Sequence, residues 1–252
     1  MDQGKVIETF DLTKQYSHQT AVNRLSFSVE EGEIFGFLGP NGAGKSTTLL
    51  MLLGLSEPSG GSALVCGLDP VRQAREVKKI VGYLPENVGF YGDLNAVESL
   101  RYIADLNGMD RDAVLEKISE VLETVGLTNE RHKKVGAYSR GMKQRLGMAE
   151  VLLKDPKVMF LDEPTLGLDP DGAAKLINLI KSLNRERKIT VLLSSHHLTQ
   201  VQKISHRVGI MIKGKMVAEG SIDALAQEKF GVDGKEYSLE EIYMKYFQEG
   251  SL

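Results

Sequence analysis

Apolar positions recur along this chain with two different periods, and the change of period divides it. Leu25-Ser-Phe-Ser-Val29 alternates apolar and polar with period two, the pattern of a strand with one face buried. Glu30, Glu31 and Gly32 then turn the chain, and Ile34 to Leu38 runs apolar throughout, as a strand covered on both faces does. Further short apolar runs at Ile80 to Leu84, Val158 to Leu161 and Ile189 to Leu193 are separated by segments with helical spacing. Strands that alternate with helices predict an α/β fold with a parallel core sheet. Between Asn95 and Leu153 only the helical period remains: Val97, Leu100, Ile103 and Ala104, then Val114, Leu115, Ile118, Val121, Leu122 and Val125 recur at three and four. This predicts a helical insert at about residues 87–155 within a main domain spanning 1–220. Within it, Arg131 to Lys134 is a short basic run that reads as a solvated loop. Past Gly220, the stretch Leu239, Ile242, Tyr243, Tyr246 and Phe247 predicts an amphipathic helix docked on the body, in a short extension over 221–252.

Composition narrows the class. With 42% hydrophobic and 26% charged residues in 252, the chain has ordinary globular values and enough apolar material for a sizeable core. The net charge of −3 leaves no large positive field, which counts against a nucleic-acid partner. The apolar stretches, Leu49 to Leu55 and Val158 to Leu161 among them, fall far below the ~20 residues that cross a bilayer. A single cysteine, Cys66, excludes an internal disulfide framework and fits a reducing cytoplasm. The N-terminus lacks the basic and apolar regions of a signal peptide.

The chemistry is concentrated in two places. Gly39, Pro40, Asn41, Gly42, Ala43, Gly44, Lys45 and Ser46 fit the pattern G-x-x-x-x-G-K-[ST], directly after the buried strand and directly before a helical run from Thr47 to Leu53. In such a loop the backbone amides curl around a phosphate and the following helix points its positive end at it. The lysine then reaches the β and γ phosphates, and the hydroxyl of Ser46 serves Mg²⁺. The second place is Val158 to Leu161, an apolar strand that ends in Asp162 and Glu163; ligands gather at the carboxyl ends of parallel strands. There Asp162 suits a magnesium ion and Glu163 suits polarising an attacking water.

Taken with Tyr138-Ser139-Arg140-Gly141-Met142-Lys143-Gln144-Arg145, Leu161-Asp162-Glu163-Pro164-Thr165 and Gly167-Leu168-Asp169-Pro170, the chain resembles the ATP-binding subunit of an ABC transporter. The resemblance covers about residues 5–220. The signature segment around Ser139, absent from kinases and GTPases that share the loop, makes it specific, and its style is similar to exporters of the ABC-2 type. The run Leu84 to Tyr91 is also similar to ATPases of the copper-linked system that matures nitrous-oxide reductase, a narrower alternative.

The resemblance implies a P-loop ATPase with an N-terminal antiparallel β region and a helical subdomain. It implies that Tyr16 stacks on adenine, that residues 39–47 hold the phosphates, and that Glu163, His196 and Lys45 carry the catalysis. It further implies that Ser139 and Gly141 of one subunit close over the loop of a second copy or a related ATPase subunit, with Asp169 crossing the interface. Ser46, Asp162 and Glu86 would hold Mg²⁺, with Asn87 as the rival to Glu86. The partner it implies is an integral membrane permease subunit, with this chain peripheral on the cytoplasmic face of the membrane. Two positions depart from the wider family. Tyr138, Arg140 and Met142 replace the usual Leu, Gly and Gln of the signature, and Glu86 stands where a Gln is common. A soluble ABC ATPase of the DNA-repair type would carry a coiled-coil insertion, a Cys-x-x-Cys hook or two tandem cassettes, none of which this sequence has. A small-substrate phosphotransferase would leave the Ser139 segment without a purpose.

Overall fold

The structure, a computed structural model, describes residues 4–231 and 237–251; residues 1–3 of the expected main domain, and 232–236 and 252 of the expected C-terminal extension, lie outside the described residues. Two sheets face each other. The first is antiparallel and built around β1 (Lys5–Tyr16), which pairs with β2 (Gln19–Leu25), β3 (Ser28–Glu30) and β5 (Gly60–Val65). The second has six strands in the order β10 (Lys215–Gly220), β9 (Arg207–Ile212), β4 (Ile34–Leu38), β8 (Thr190–Ser195), β7 (Val158–Asp162) and β6 (Val81–Leu84). All are parallel except the edge strand β10.

The central strands β4, β7 and β8 are buried at every position, which explains their unbroken apolar sequence. Their alternation still matters, because it divides the interior into two cores. Phe35, Phe37, Val158, Phe160 and Leu192 face the antiparallel sheet and helix α1 (Lys45–Leu52), where Phe27 stacks on Phe35 and Phe37 with centroids 5.6 and 5.4 Å away. Ile34, Leu38, Met159, Leu161, Val191 and Leu193 face the opposite way, into the core shared with the remaining long helices. Helix α1, with the short α2 (Ala74–Ile80), therefore belongs to one layer.

The expected helical insert is present as α3 (Ala96–Leu106), α4 (Arg111–Thr124) and α5 (Arg140–Leu152), with short 3₁₀ turns at Thr128–Glu130 and Val135–Ala137. An Asn95/Glu98 capping box opens α3, and Asp110 caps α4. Arg131 to Lys134 forms a turn whose His132, Lys133 and Lys134 are exposed, in keeping with a solvated loop. Helix α6 (Pro170–Arg187) packs on the same side of the core sheet, followed by α7 (Leu198–Ile204). The C-terminal segment supplies α8 (Ile222–Phe230) and α9 (Leu239–Ser251). Leu239, Ile242 and Tyr246 of α9 are buried against α7 and β9, the docking expected from their spacing.

Some boundaries differ from the sequence reading. Leu25 to Val29 is two strands, because β1 changes partner there. The break at Ser26 and Phe27 is bridged by side chains, with Phe27 N–H donating to Thr9 Oγ1 and Asp11 N–H donating to Ser26 Oγ. Ile80 closes α2 rather than opening a strand, and α1 begins two residues earlier than its apolar run.

One glycine sets a close approach between a strand and a helix. A Cβ on Gly36 in β4 would lie 2.4 Å from Val201 Cγ1 and 2.7 Å from Ser205 Oγ, so α7 sits directly on the strand. Gly36→Ala is expected to destabilise the protein by about 1–3 kcal/mol through overpacking, read as a lower urea midpoint with an unchanged m-value. Glu150 of α5 has a different problem: burial alone pushes its carboxyl up to about 7. A raised acid pKa means the ionised form is penalised in the folded state, so the penalty is absent below the unfolded pKa and grows as pH rises towards 7. Glu150→Gln should therefore stabilise the protein at pH 8, and the gain should vanish by about pH 4.5 in parallel unfolding curves.

Candidate functional site

The loop between β4 and α1 is shaped by glycines at positive φ: Gly39 at 155°, Gly42 at 80° and Gly44 at 104°. At Gly39 and Gly44 any Cβ would collide, at 2.3 Å, with the carbonyl oxygens of Met211 and Ala21 respectively. At Gly42 it would meet nothing within 4 Å, so that backbone is open for close approach by a ligand. Lys45, the first residue of α1, is only 6% exposed and folds back over the loop, its Nζ donating to Gly39 O at 2.7 Å and Pro40 O at 3.3 Å. Its pKa is lowered by burial, an effect that the nearby Glu163 and Asp162 carboxylates partly oppose.

Those carboxylates sit at the end of β7, beside β8. Ser194 of β8 donates its hydroxyl to Asp162 Oδ1, and the Glu163 N–H donates to Ser194 O at 3.1 Å. Glu163 is held at φ 48°, a left-handed conformation costly for a side-chain-bearing residue. The bend aims its carboxylate into the loop, with Oε1 3.7 Å from Lys45 Nζ. Oε1 is buried and accepts no hydrogen bond. Oε2 lies 2.9 Å from His196 Nδ1 and accepts the His196 backbone N–H at 3.3 Å. A carboxylate only accepts, so Nδ1 is the donor in this contact. The His197 ring lies against His196 with centroids 4.2 Å apart and planes inclined by 36°, and the ion-pair contact to Glu163 is made by His196.

In front of this group lies a cleft of about 390 Å³, lined by Tyr16, Gln19, Ala21, the loop from Asn41 to Thr47, Glu86 and Glu163. Tyr16 is 48% exposed; Lys14 Nζ lies 4.9 Å from its ring centroid and its hydroxyl lies 3.4 Å from Ser56 Oγ. Glu86 borders both this cleft and a smaller one formed with Asn87, Arg140, Lys143 and Gln144 of the α5 end, whereas Asn87 borders only the smaller. The Tyr83 hydroxyl has its pKa pushed up to about 12, mainly by burial, with the Asp162 and Glu86 charges adding to it.

The fold thus gathers Tyr16, residues 39–47, Glu86, Asp162, Glu163 and His196 in one place. Ser139, Gly141 and Asp169 line no part of this cleft. Ser139 is the N-cap of α5, accepting from Met142 N–H at 3.2 Å, with Gly141 in the first turn, and Asp169 is the N-cap of α6, accepting from Gly172 N–H at 3.2 Å. Sequence reasoning missed Ser194, which ties Asp162 and Glu163 to the next strand, and Gln200, which accepts the Thr165 hydroxyl. Ser194 stands two residues before His196 at the end of an apolar run, and that position was the available signal.

Chemically, the arrangement fits a nucleotide triphosphate. Backbone amides and a lysine face an open cradle, and a buried acceptor without a donor stands beyond the phosphate position. For a metal, the available donors are the Ser46 hydroxyl and carboxylate oxygens, a hard set that suits Mg²⁺. Among the described residues no group of three or more His, Cys, Asp or Glu side chains is placed to hold a metal ion.

Comparison with known proteins agrees with this geometry. The sequence pattern of the ABC transporter family matches residues 22–166. The bacitracin transport ATP-binding protein BcrA of Bacillus licheniformis is 44% identical over 220 residues, covering 87% of this chain and 71% of that protein. The Nod factor export ATP-binding protein I of Burkholderia orbicola (strain AU 1054) is 38% identical, covering 90% and 74% respectively. A solved structure of an ATP-binding subunit of an ABC transporter superposes with a TM-score of 0.84 at 29% identity, covering 96% of this chain and 99% of that one. With the phosphate loop, the strand-end carboxylates and the histidine assembled as described, this chain belongs to the ABC transporter family, as an ATP-binding subunit with ATPase activity.

Proposed function

We propose that the chain hydrolyses ATP at a site completed by a second subunit and passes the energy to a separate integral membrane permease of the ABC-2 exporter type. The observation that carries the proposal is the Lys45, Glu163 and His196 group, with its unsatisfied Glu163 Oε1 facing the phosphate loop. No helix among the described residues is long and apolar enough to cross a membrane, which supports a division of labour with a membrane subunit. The relatives named for bacitracin transport and Nod factor export favour an exporter. The chain would then act at the cytoplasmic face of the membrane, its helical insert and the Glu86 loop making the contact. Residues 1–220, with the insert at 87–155, form the ATP-binding unit in this reading, and 221–252 an appended segment.

The roles follow from the geometry. Lys45 exchanges the Gly39 and Pro40 carbonyls for β and γ phosphate oxygens, while the amides of residues 41–47 hold the rest of the chain of phosphates. Tyr16 offers its exposed ring to adenine. Ser46, Asp162 and Glu86 would hold Mg²⁺, and the place of Glu86 on the nucleotide cleft favours it over Asn87. The ion would offset charge on the phosphate oxygens. Glu163 orients or deprotonates the attacking water through Oε1, since Oε2 is already committed to His196. With Nδ1 facing Glu163, Nε2 is the ring nitrogen that His196 has left for a γ-phosphate oxygen. Ser139, Gly141 and Asp169 lie outside the cleft of their own chain, which supports their use across an interface. The α5 N-terminus would present its free amides and Ser139 hydroxyl to the γ-phosphate of the partner, closing two ATP molecules between two subunits.

Glu163→Gln keeps the size of the side chain but removes the acceptor charge. Hydrolysis is expected to fall by ~10²–10⁴ while ATP binding persists, so size-exclusion chromatography with ATP and Mg²⁺ should show the variant as a dimer. Adding Ser139→Arg should return it to monomer by placing bulk and charge at the γ-phosphate. A Glu163→Gln protein that stays monomeric at saturating ATP, or hydrolyses like the wild type, would remove the composite site. For the base, Tyr16→Ala should weaken ATP binding more than Tyr16→Phe, with kcat nearly unchanged in both. Equal losses in equilibrium binding would assign the effect to the hydroxyl contact with Ser56 instead of to the ring.

A further inference from the structure

A second cleft is larger than the nucleotide cleft. At about 630 Å³ it lies at the other end of the core sheet, where β4, β8 and β9 begin and α6 ends. Its walls bring together Lys181 and Arg185 of α6, Lys188 at the α6 C-cap, and His206 and Arg207 at the start of β9. In a chain of net charge −3, this is a marked local concentration of positive charge. Of the two carboxylates on its walls, Glu33 is only 6% exposed and, with Glu219, is committed to Arg207, while Glu30 is exposed at the rim; the positive charge left to the cleft is therefore that of Lys181, Arg185 and Lys188. Lys181 and Lys188 make no ion pair among the described residues, and Arg185 pairs only with its neighbour Glu186 in an exposed contact of little energetic weight.

Cations at a helix C-terminus are favoured by the helix dipole, which accounts for part of the α6 contribution. It does not account for His206 and Arg207, which come from a different element. His206 is also held in one tautomer: the Ile34 N–H donates to its Nδ1 at 2.9 Å, so Nε2 carries the proton and is a donor. Cations and donors from separate elements that converge on a concavity repel one another unless an anion joins them. No Phe, Tyr or Trp is among the residues that line the walls, so the cleft lacks the broad apolar stacking surface that the exposed Tyr16 ring offers at the nucleotide cleft.

We propose that this cleft is a second binding site, separate from the nucleotide cleft, for a small multiply charged phosphate-type anion. Lys181, Lys188 and Arg185 neutralise its charge, and His206 Nε2 donates a directional hydrogen bond. The site lies at the amino ends of β4 and β8, whose carboxyl ends carry the phosphate loop and His196.

The test uses sodium tripolyphosphate added to the full chain already saturated with ADP, followed by the imidazole resonances in carbon–proton correlation spectra, with His206 assigned by His206→Gln. Progressive, saturable movement of the His206 signal is expected. In Lys181→Glu/Lys188→Glu, whose exposed side chains hold no ion pair and take no part in hydrolysis, the apparent affinity should fall by more than about tenfold, with ATPase activity retained as proof of folding. A His206 signal that does not move through the millimolar range overturns the proposal, and so does an unchanged titration in the double variant.

Discussion

The ion pair between Lys45 and Glu163 is the constraint around which the rest of the molecule is arranged. Both side chains are almost wholly removed from water, and their charged atoms stand 3.7 Å apart, too far for a good hydrogen bond. Each charge in such a place is expensive unless it is paired. The loop carbonyls of Gly39 and Pro40, the neighbouring Asp162 and the His196 ring surround the pair, and the carboxylates partly offset the lowering that burial imposes on the Lys45 pKa. What remains is an acceptor, Glu163 Oε1, with a cation nearby and no donor of its own. A site in this condition gains from a phosphate and a water between the two groups, because both then find partners that the protein alone does not supply.

Holding that pair open requires stiffness, and the sheet provides it. Lys45 follows β4, Glu163 follows β7 and His196 follows β8, three strands that are adjacent and in parallel register. Ser194 fastens the ends of β7 and β8 together by bonding both to Asp162 and to the Glu163 backbone. Beneath them the alternating side chains of these strands fill two separate cores, so a shift of one strand would disturb packing on both faces. The left-handed backbone at Glu163 is a strained element that such a support can tolerate.

Much of this was legible from residue patterns. The glycine loop followed by lysine, and the apolar run ending in two acids, announce their chemistry because phosphate and metal binding demand those residue types at those spacings. The helical insert and α9 were legible because their apolar faces keep a helical period. Other features had no local signature. The strands β9 and β10 were not identified, and β2 and β3 were merged, since the partner change of β1 that separates them depends on the Thr9 and Ser26 side chains meeting distant backbone. The distance between Glu163 and His196 depends on strand order, which no run of neighbouring residues encodes. The basic cleft was invisible for the same reason: its residues lie in three segments, and Arg207 and Lys188 read singly as ordinary surface charges.

Helix α7 has seven residues, and its N-cap His197 makes no side-chain capping bond, so it has little intrinsic reason to be a helix. It is held from below by the bare backbone at Gly36 and from the side by α9, with Gln202 Oε1 accepting the Leu239 N–H at 3.1 Å. His196 is joined to its front end. The C-terminal helix and His196 are therefore mechanically in series, and a load applied to the end of the chain, by a fused domain or a docked protein, reaches the Glu163 and His196 pair through about two turns of helix.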